Sequence, residues 1–322
     1  MKRVHFWAWL LVLPLLATPV HADQPDEEDL VEPVRKAIER GVKYLRSQQH
    51  DGNWEHQGYP GYPGGATALA VLALLNSDVP PEDPTVQGGL AYLRELKQDK
   101  TYVVSLQTMA FALARQPQDL ERIGKNVDWL LKARVMDGGR LLGWGYGNHG
   151  PADNSNTQYA LLGLHEGFVA GAKVPQEDWE SILDFYKRTQ KADGSWNYKD
   201  SPPTIINPST MTTAGLCGLL IASTDMRSSR TECLPAKCGN YEEDRHITKA
   251  LDYLGRTMLT DRRIGNQSHA YYYLYGLERA GRLSGRRFFG GHDWYRVGCR
   301  FLMARKRMMG RGRAVWRRQT PR

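Results

Sequence analysis

Two kinds of apolar pattern alternate along the chain. In the first, apolar residues recur every three or four positions. Leu30, Val34, Ala37, Ile38, Gly41, Tyr44 and Leu45 fall on one face and predict an amphipathic helix over 31–49. In the second, the run GATALAVLALL from Gly65 is apolar almost all round and predicts a buried helix. The alternation continues. Residues 86–96 pair with 104–114, 120–133 with 156–167, 179–191 with 210–223, and 245–257 with 268–280, while 292–305 starts a further amphipathic helix. The fold class is therefore all-α. A helix wet on one face suits an outer ring. A helix rich in Ala, Gly, Leu and Thr suits an inner ring, where small residues let neighbours approach closely. About six such pairs can stack as an open solenoid or close into a barrel, and the lack of an obvious polar capping unit favours closure.

The joints between the helices carry a sequence signature. Gln48 to Trp54 and Gln190 to Trp196 both read Gln-x-x-Asp-Gly-x-Trp, and the two tryptophans lie 142 positions apart. This motif resembles the QW motif of squalene–hopene cyclases, oxidosqualene cyclases and protein prenyltransferase β subunits, the terpenoid cyclase superfamily. The resemblance covers nearly all of residues 30–305. It implies an α/α toroid for residues 23–303, with each Gln and Trp tying a helix end to the next turn. On that reading both copies of the motif are structural.

Candidate site residues lie where the inner helices begin, because helix N-termini present donors and a positive dipole to one end of such a barrel. The run from Gly143 to Gly150 offers Trp144, Tyr146 and His149, and Asp153, Asn154, Ser155, Asn156 and Gln158 follow. The second motif ends on Trp196, with Tyr198 just after it, and 268–277 contains His269 and Tyr272 in an aromatic cluster. Squalene–hopene-type cyclases place Asp-x-Asp-Asp-Thr before an inner helix, and its middle Asp protonates an alkene. Here the run is Asp153-Asn154-Ser155-Asn156-Thr157, so a serine stands at the acid position and cannot supply that proton. The stretch reads either as a polar binding patch or as a helix cap. His269 matches the zinc-binding His of prenyltransferases. The matching Asp and Cys are missing from 207–212, and one His cannot hold zinc. Neither metal nor cofactor is expected. Asp153, Glu166 and Asp193 are the carboxylates a glycan-cleaving enzyme would need to pair. Three readings remain open: a ligand-binding or scaffold protein, a divergent terpenoid cyclase or prenyl transferase, and a polysaccharide-acting enzyme. The expected ligand is apolar and isoprenoid-like, or a glycan.

Charge and the chain ends refine this picture. The net charge of +8 suggests nucleic acid as a partner until its distribution is read: nine of the 43 Lys and Arg lie in 300–322, which has no acid. The rest carries 34 basic against 35 acidic residues, so no nucleic-acid partner is expected. Residues 1–22 read as a signal peptide, with Lys2 and Arg3, an apolar run from Phe6 to Leu16, and Val20-His21-Ala22 before a cut at Asp23. The protein is expected to be exported, periplasmic or secreted, with no transmembrane segment after cleavage. In that compartment Cys233 and Cys238 could close a local disulfide. The basic tail 304–322 replaces the motif turn expected after the last helix. With suitable codons, the bases under Arg307 to Gly312 read one base early as Asp-Asp-Gly-Ser-Trp. A frame-shifted end and a genuine basic tail are both open.

Overall fold

The computed structural model describes residues 28–58, 60–97, 99–148, 150–200, 203–204, 208–229, 244–258, 264 and 269–309. The chain is mostly helical. Its helices are α1 (Glu28–Ser47), α2 (Gly65–Leu75), α3 (Pro84–Glu95), α4 (Thr101–Ala114), α5 (Leu120–Lys132), α6 (Asn154–Val169), α7 (Gln176–Thr189), α8 (Pro208–Ser229), α9 (Arg245–Thr257), α10 (Ala270–Ser284) and α11 (Trp294–Met309). The expected signal peptide, the Cys233/Cys238 pair and the end of the basic tail lie outside the described residues. So does His149. The last helix runs to Met309, past the boundary expected at residue 303. No helix among the described residues is long and apolar enough to cross a membrane.

The even-numbered helices form the core. In α4, eleven of the 14 residues are buried, Ser105, Gln107 and Thr108 among them. These polar side chains are satisfied locally: Ser105 and Thr108 donate to carbonyls one turn back, and Gln107 donates to Leu93 O at 2.7 Å. Packing runs from α2 to α4, α6, α8 and α10 in turn. Small residues permit the close approach. A Cβ on Gly163 of α6 would stand 2.9 Å from Ser105 Cα of α4. The odd-numbered helices cover this core with one face, and α1 also touches α11. From residue 30 onwards α1 has no fully buried side chain, and Ile38 and Tyr44 of its apolar stripe are exposed.

Three joints share one construction. The indole N–H of Trp54 donates to Leu45 O at 2.8 Å, that of Trp144 to Leu130 O at 2.7 Å and that of Trp196 to Tyr186 O at 3.0 Å. Each acceptor lies near the end of an odd-numbered helix, where backbone carbonyls lack intrahelical donors. The backbone N–H of Trp54 donates in turn to Thr67 Oγ1, and that of Trp144 to Thr157 Oγ1, on the next even-numbered helix. The glutamines close the turns. Gln190 Nε2 donates to Gly194 O and to His246 O of α9. In the first copy the working residue is Gln49, which donates to Gly52 O and Thr85 O. The pattern match had chosen Gln48, but the α1 end is one residue off, so Gln49 is the side chain that reaches α3.

Short strands add little to the core. The pair β1 (Arg134–Asp137) and β2 (Arg140–Trp144) forms an antiparallel hairpin, turned by Gly138 and Gly139 with φ of 52° and 80°. It carries the chain from α5 to the Trp144 joint. Two-residue pairs β3/β4 (Lys199–Asp200, Pro203–Thr204) and β5/β6 (Phe288–Phe289, His292–Asp293) brace later loops.

Trp196 fills the space left by Gly215: a Cβ there would meet the indole at 2.4 Å. Gly215→Ala should therefore destabilise the fold by roughly 1–3 kcal/mol in urea unfolding. Gly124→Ala in α5, where a Cβ meets nothing within 4 Å, should instead stabilise it by about 0.5–1 kcal/mol. Equal effects at the two sites would contradict the packing described.

Candidate functional site

The first turns of all five even-numbered helices surround one cavity of about 800 Å3. Its wall takes Ala66 and Leu69 from α2, Tyr102 from α4, Ser155, Asn156 and Tyr159 from α6, Thr210 and Met211 from α8, and Tyr272 from α10. Loops add Tyr62, Tyr146, Tyr198 and His269. No Asp, Glu, Lys or Arg is among the described lining residues.

Tyr159 is the hub of the aromatic wall. Its ring meets Tyr102 edge-on with centroids 4.4 Å apart, and lies nearly parallel to Tyr272 at 6.0 Å and to Tyr275 at 6.2 Å. Burial pushes the Tyr159 and Tyr272 phenols well above the usual tyrosine range, and the Tyr102 phenol up as well. At the rim, the hydroxyls of Tyr146 and Tyr198 lie 3.4 Å apart. That hydrogen bond, with burial adding to it, raises the Tyr146 phenol. Tyr102, Tyr146, Tyr159 and Tyr272 therefore present neutral phenols throughout the physiological range.

The run after Gly150 caps α6. Asp153 accepts from the backbone N–H of Asn156 at 2.9 Å, from Asn156 Nδ2 at 2.8 Å and from Ser155 Oγ at 2.6 Å. Three donors thus take up the two oxygens of a carboxylate at a helix N-terminus, the arrangement such a cap requires. Asp153 is buried and is not on the cavity wall, whereas Ser155 and Asn156 are. Asn154 turns away, donating to Asn197 O at 2.6 Å. Gln158 lies behind the wall, where its Oε1 accepts from the Tyr272 hydroxyl at 2.5 Å.

Of the sequence candidates, Tyr146, Ser155, Asn156, Tyr198, His269 and Tyr272 meet on this wall. Trp144 and Trp196 do not. Both are fully buried struts, with their indoles committed to helix ends. Sequence reasoning missed Tyr62, Tyr102, Tyr159, Thr210 and Met211. Position within the helix was the usable signal, because the wall is drawn from the first six residues of each even-numbered helix.

The three candidate carboxylates are dispersed. Asp153 is a cap, and Asp193 accepts from Ser195 within the second motif turn. Glu166 lines a smaller cavity of about 330 Å3 at the opposite ends of α2, α4, α6 and α10, with Arg279 and Arg282. No group of three or more His, Cys, Asp or Glu able to hold a metal occurs among the described residues.

Near that smaller cavity His165 of α6 meets Asp225 of α8, Nδ1 to Oδ2 at 2.7 Å. Burial works against the imidazolium, but the Asp225 hydrogen bond and charge, with help from Glu166 and against Arg279, leave the His165 pKa raised. A raised folded pKa stabilises the fold most below the unfolded value of about 6.5, and the gain fades as pH rises through the folded value. Chemical denaturation should therefore show a stability loss above pH ~6.5 that Asp225→Asn removes. An unchanged pH profile in that variant would contradict the assignment.

Compared with protein-family models, with curated proteins and with solved structures, the chain matches none.

Proposed function

We propose that the chain is an α/α toroid of helical repeats that binds a largely apolar ligand. Two packing features support the toroid. The even-numbered helices run side by side in one direction, with their starts around one cavity and ends of four of them around another. Contact between α1 and α11 brings the two ends of the odd-numbered set together.

The observation that carries the ligand reading is the cavity itself. Its volume of about 800 Å3 suits a small molecule, and its described wall holds six tyrosines and no charged residue. A scaffold protein would have no use for such a space. An isoprenoid-like molecule fits it best, because flat aromatic walls reward apolar area without demanding a counter-charge. Sugar rings also stack on tyrosine, so the same wall suits a glycan. Cleaving one needs two carboxylates facing the bond, and the described wall offers none. Cyclase chemistry lacks its acid, since Ser155 occupies that place and Asp153 is tied to three donors. We therefore read the protein as a binder rather than a catalyst. Export rests on the sequence of residues 1–22 alone.

Native mass spectrometry of the purified protein, with and without added squalene or farnesol, tests this. Bound isoprenoid should appear as a discrete mass increment. Leu69→Trp places a large ring on the half-open wall of the cavity, at a position already 44% exposed, and should weaken uptake about tenfold without unfolding the protein. A protein that stays empty with both compounds would overturn the reading.

A further inference from the structure

Three hydrogen-bond donors on the cavity wall are engaged within the protein. Ser155 directs its O–H to Asp153 Oδ1, and Asn156 directs an amide N–H to Asp153 Oδ2. Tyr272 directs its O–H to Gln158 Oε1. A hydroxyl has one hydrogen but two lone pairs, and an amide oxygen accepts twice. These three wall residues therefore have acceptor oxygens left over. Thr210 adds a fourth polar atom. It is only 2% exposed, lines the same cavity, and its Oγ1 has no hydrogen-bond partner. A buried hydroxyl left unpaired costs stability, and a ligand group at this wall would satisfy it.

We infer that the cavity recognises an apolar molecule by a hydrogen-bond donor at its buried end, an alcohol or an amine, rather than a bare hydrocarbon, an ether or an acid. This rests on the ligand-binding reading above and narrows it. A hydroxyl on the ligand donates to the surplus oxygens of Tyr272, Ser155 or Asn156 and accepts from Thr210. An ether can accept from Thr210 or from the second amide N–H of Asn156 but has nothing to give the surplus oxygens. A carboxylate meets acceptor oxygens, with the Asp153 charge behind Ser155 and Asn156 and no described cation on the wall. An amine, protonated at neutral pH, gains from the same oxygens and from the tyrosine faces. The shared chemistry is donation. The two compounds differ in charge.

The test compares four probes of one carbon skeleton on the full chain: farnesane, farnesyl methyl ether, farnesol and farnesylamine. Farnesol and farnesylamine should bind about tenfold more tightly than the ether, the value of one well-made hydrogen bond. Tighter farnesylamine than farnesol identifies a charged ligand, and the reverse order a neutral alcohol. Thr210→Val, of nearly the same shape, and Tyr272→Phe should each weaken farnesol about tenfold while leaving farnesane unchanged. Ether binding equal to that of farnesol overturns the donor inference and leaves the binding reading standing. Failure of all four probes to bind overturns both.

Discussion

Everything in this fold hangs on the buried tryptophan at the joint between helices. Its indole is too large to leave exposed, and its N–H too polar to bury without an acceptor. The chain meets both demands with one placement: the ring sinks into the core, and the N–H reaches a carbonyl near the end of an odd-numbered helix. Trp54, Trp144 and Trp196 all do this. At Trp54 and Trp144 the backbone N–H also engages a threonine of the next even-numbered helix. One residue thereby fixes where one helix stops and how the following helix enters. Three such joints aim the starts of α2, α6 and α8 at the same point, and the cavity lies there.

The same constraint explains why acidic residues near the cavity do structural work. A helix start aimed inwards has backbone N–H groups that need acceptors. At α6 the sequence answers with Asp153. Once that carboxylate has taken the Asn156 N–H, Asn156 Nδ2 and Ser155 O–H, it holds the wall in shape. The wall side chains, having given their donors to the cap, face the cavity with oxygens. On the proposed reading, capping and ligand preference are two consequences of one hydrogen-bond network.

Much of the helical plan was legible in the sequence, because amphipathic and all-apolar patterns differ in period and composition. The expected helix over 245–257 is α9 as built, and most other boundaries fall within a few residues. Two of the three joints were legible as motifs, though the residue that ties the first one is Gln49 and not Gln48, since motif spacing ignores where a helix ends. The β1/β2 hairpin read only as a glycine-rich turn. The site was harder. Trp144 and Trp196 stood among the site candidates but are core, while Tyr102 and Tyr159, which did not, form the wall. In a helix apolar all round, periodicity no longer tells one face from another. Only the partners of each face decide, and those come from distant parts of the chain.

The central claim is that the tyrosine-walled space is a binding cavity for a neutral or donor-bearing apolar molecule. An experimental electron-density map of crystals grown with farnesol tests it most directly. The account predicts an elongated feature in the cavity alongside the rings of Tyr159 and Tyr272, with its oxygen end at Thr210. A map with the cavity collapsed, or filled by ordered water alone, would contradict it.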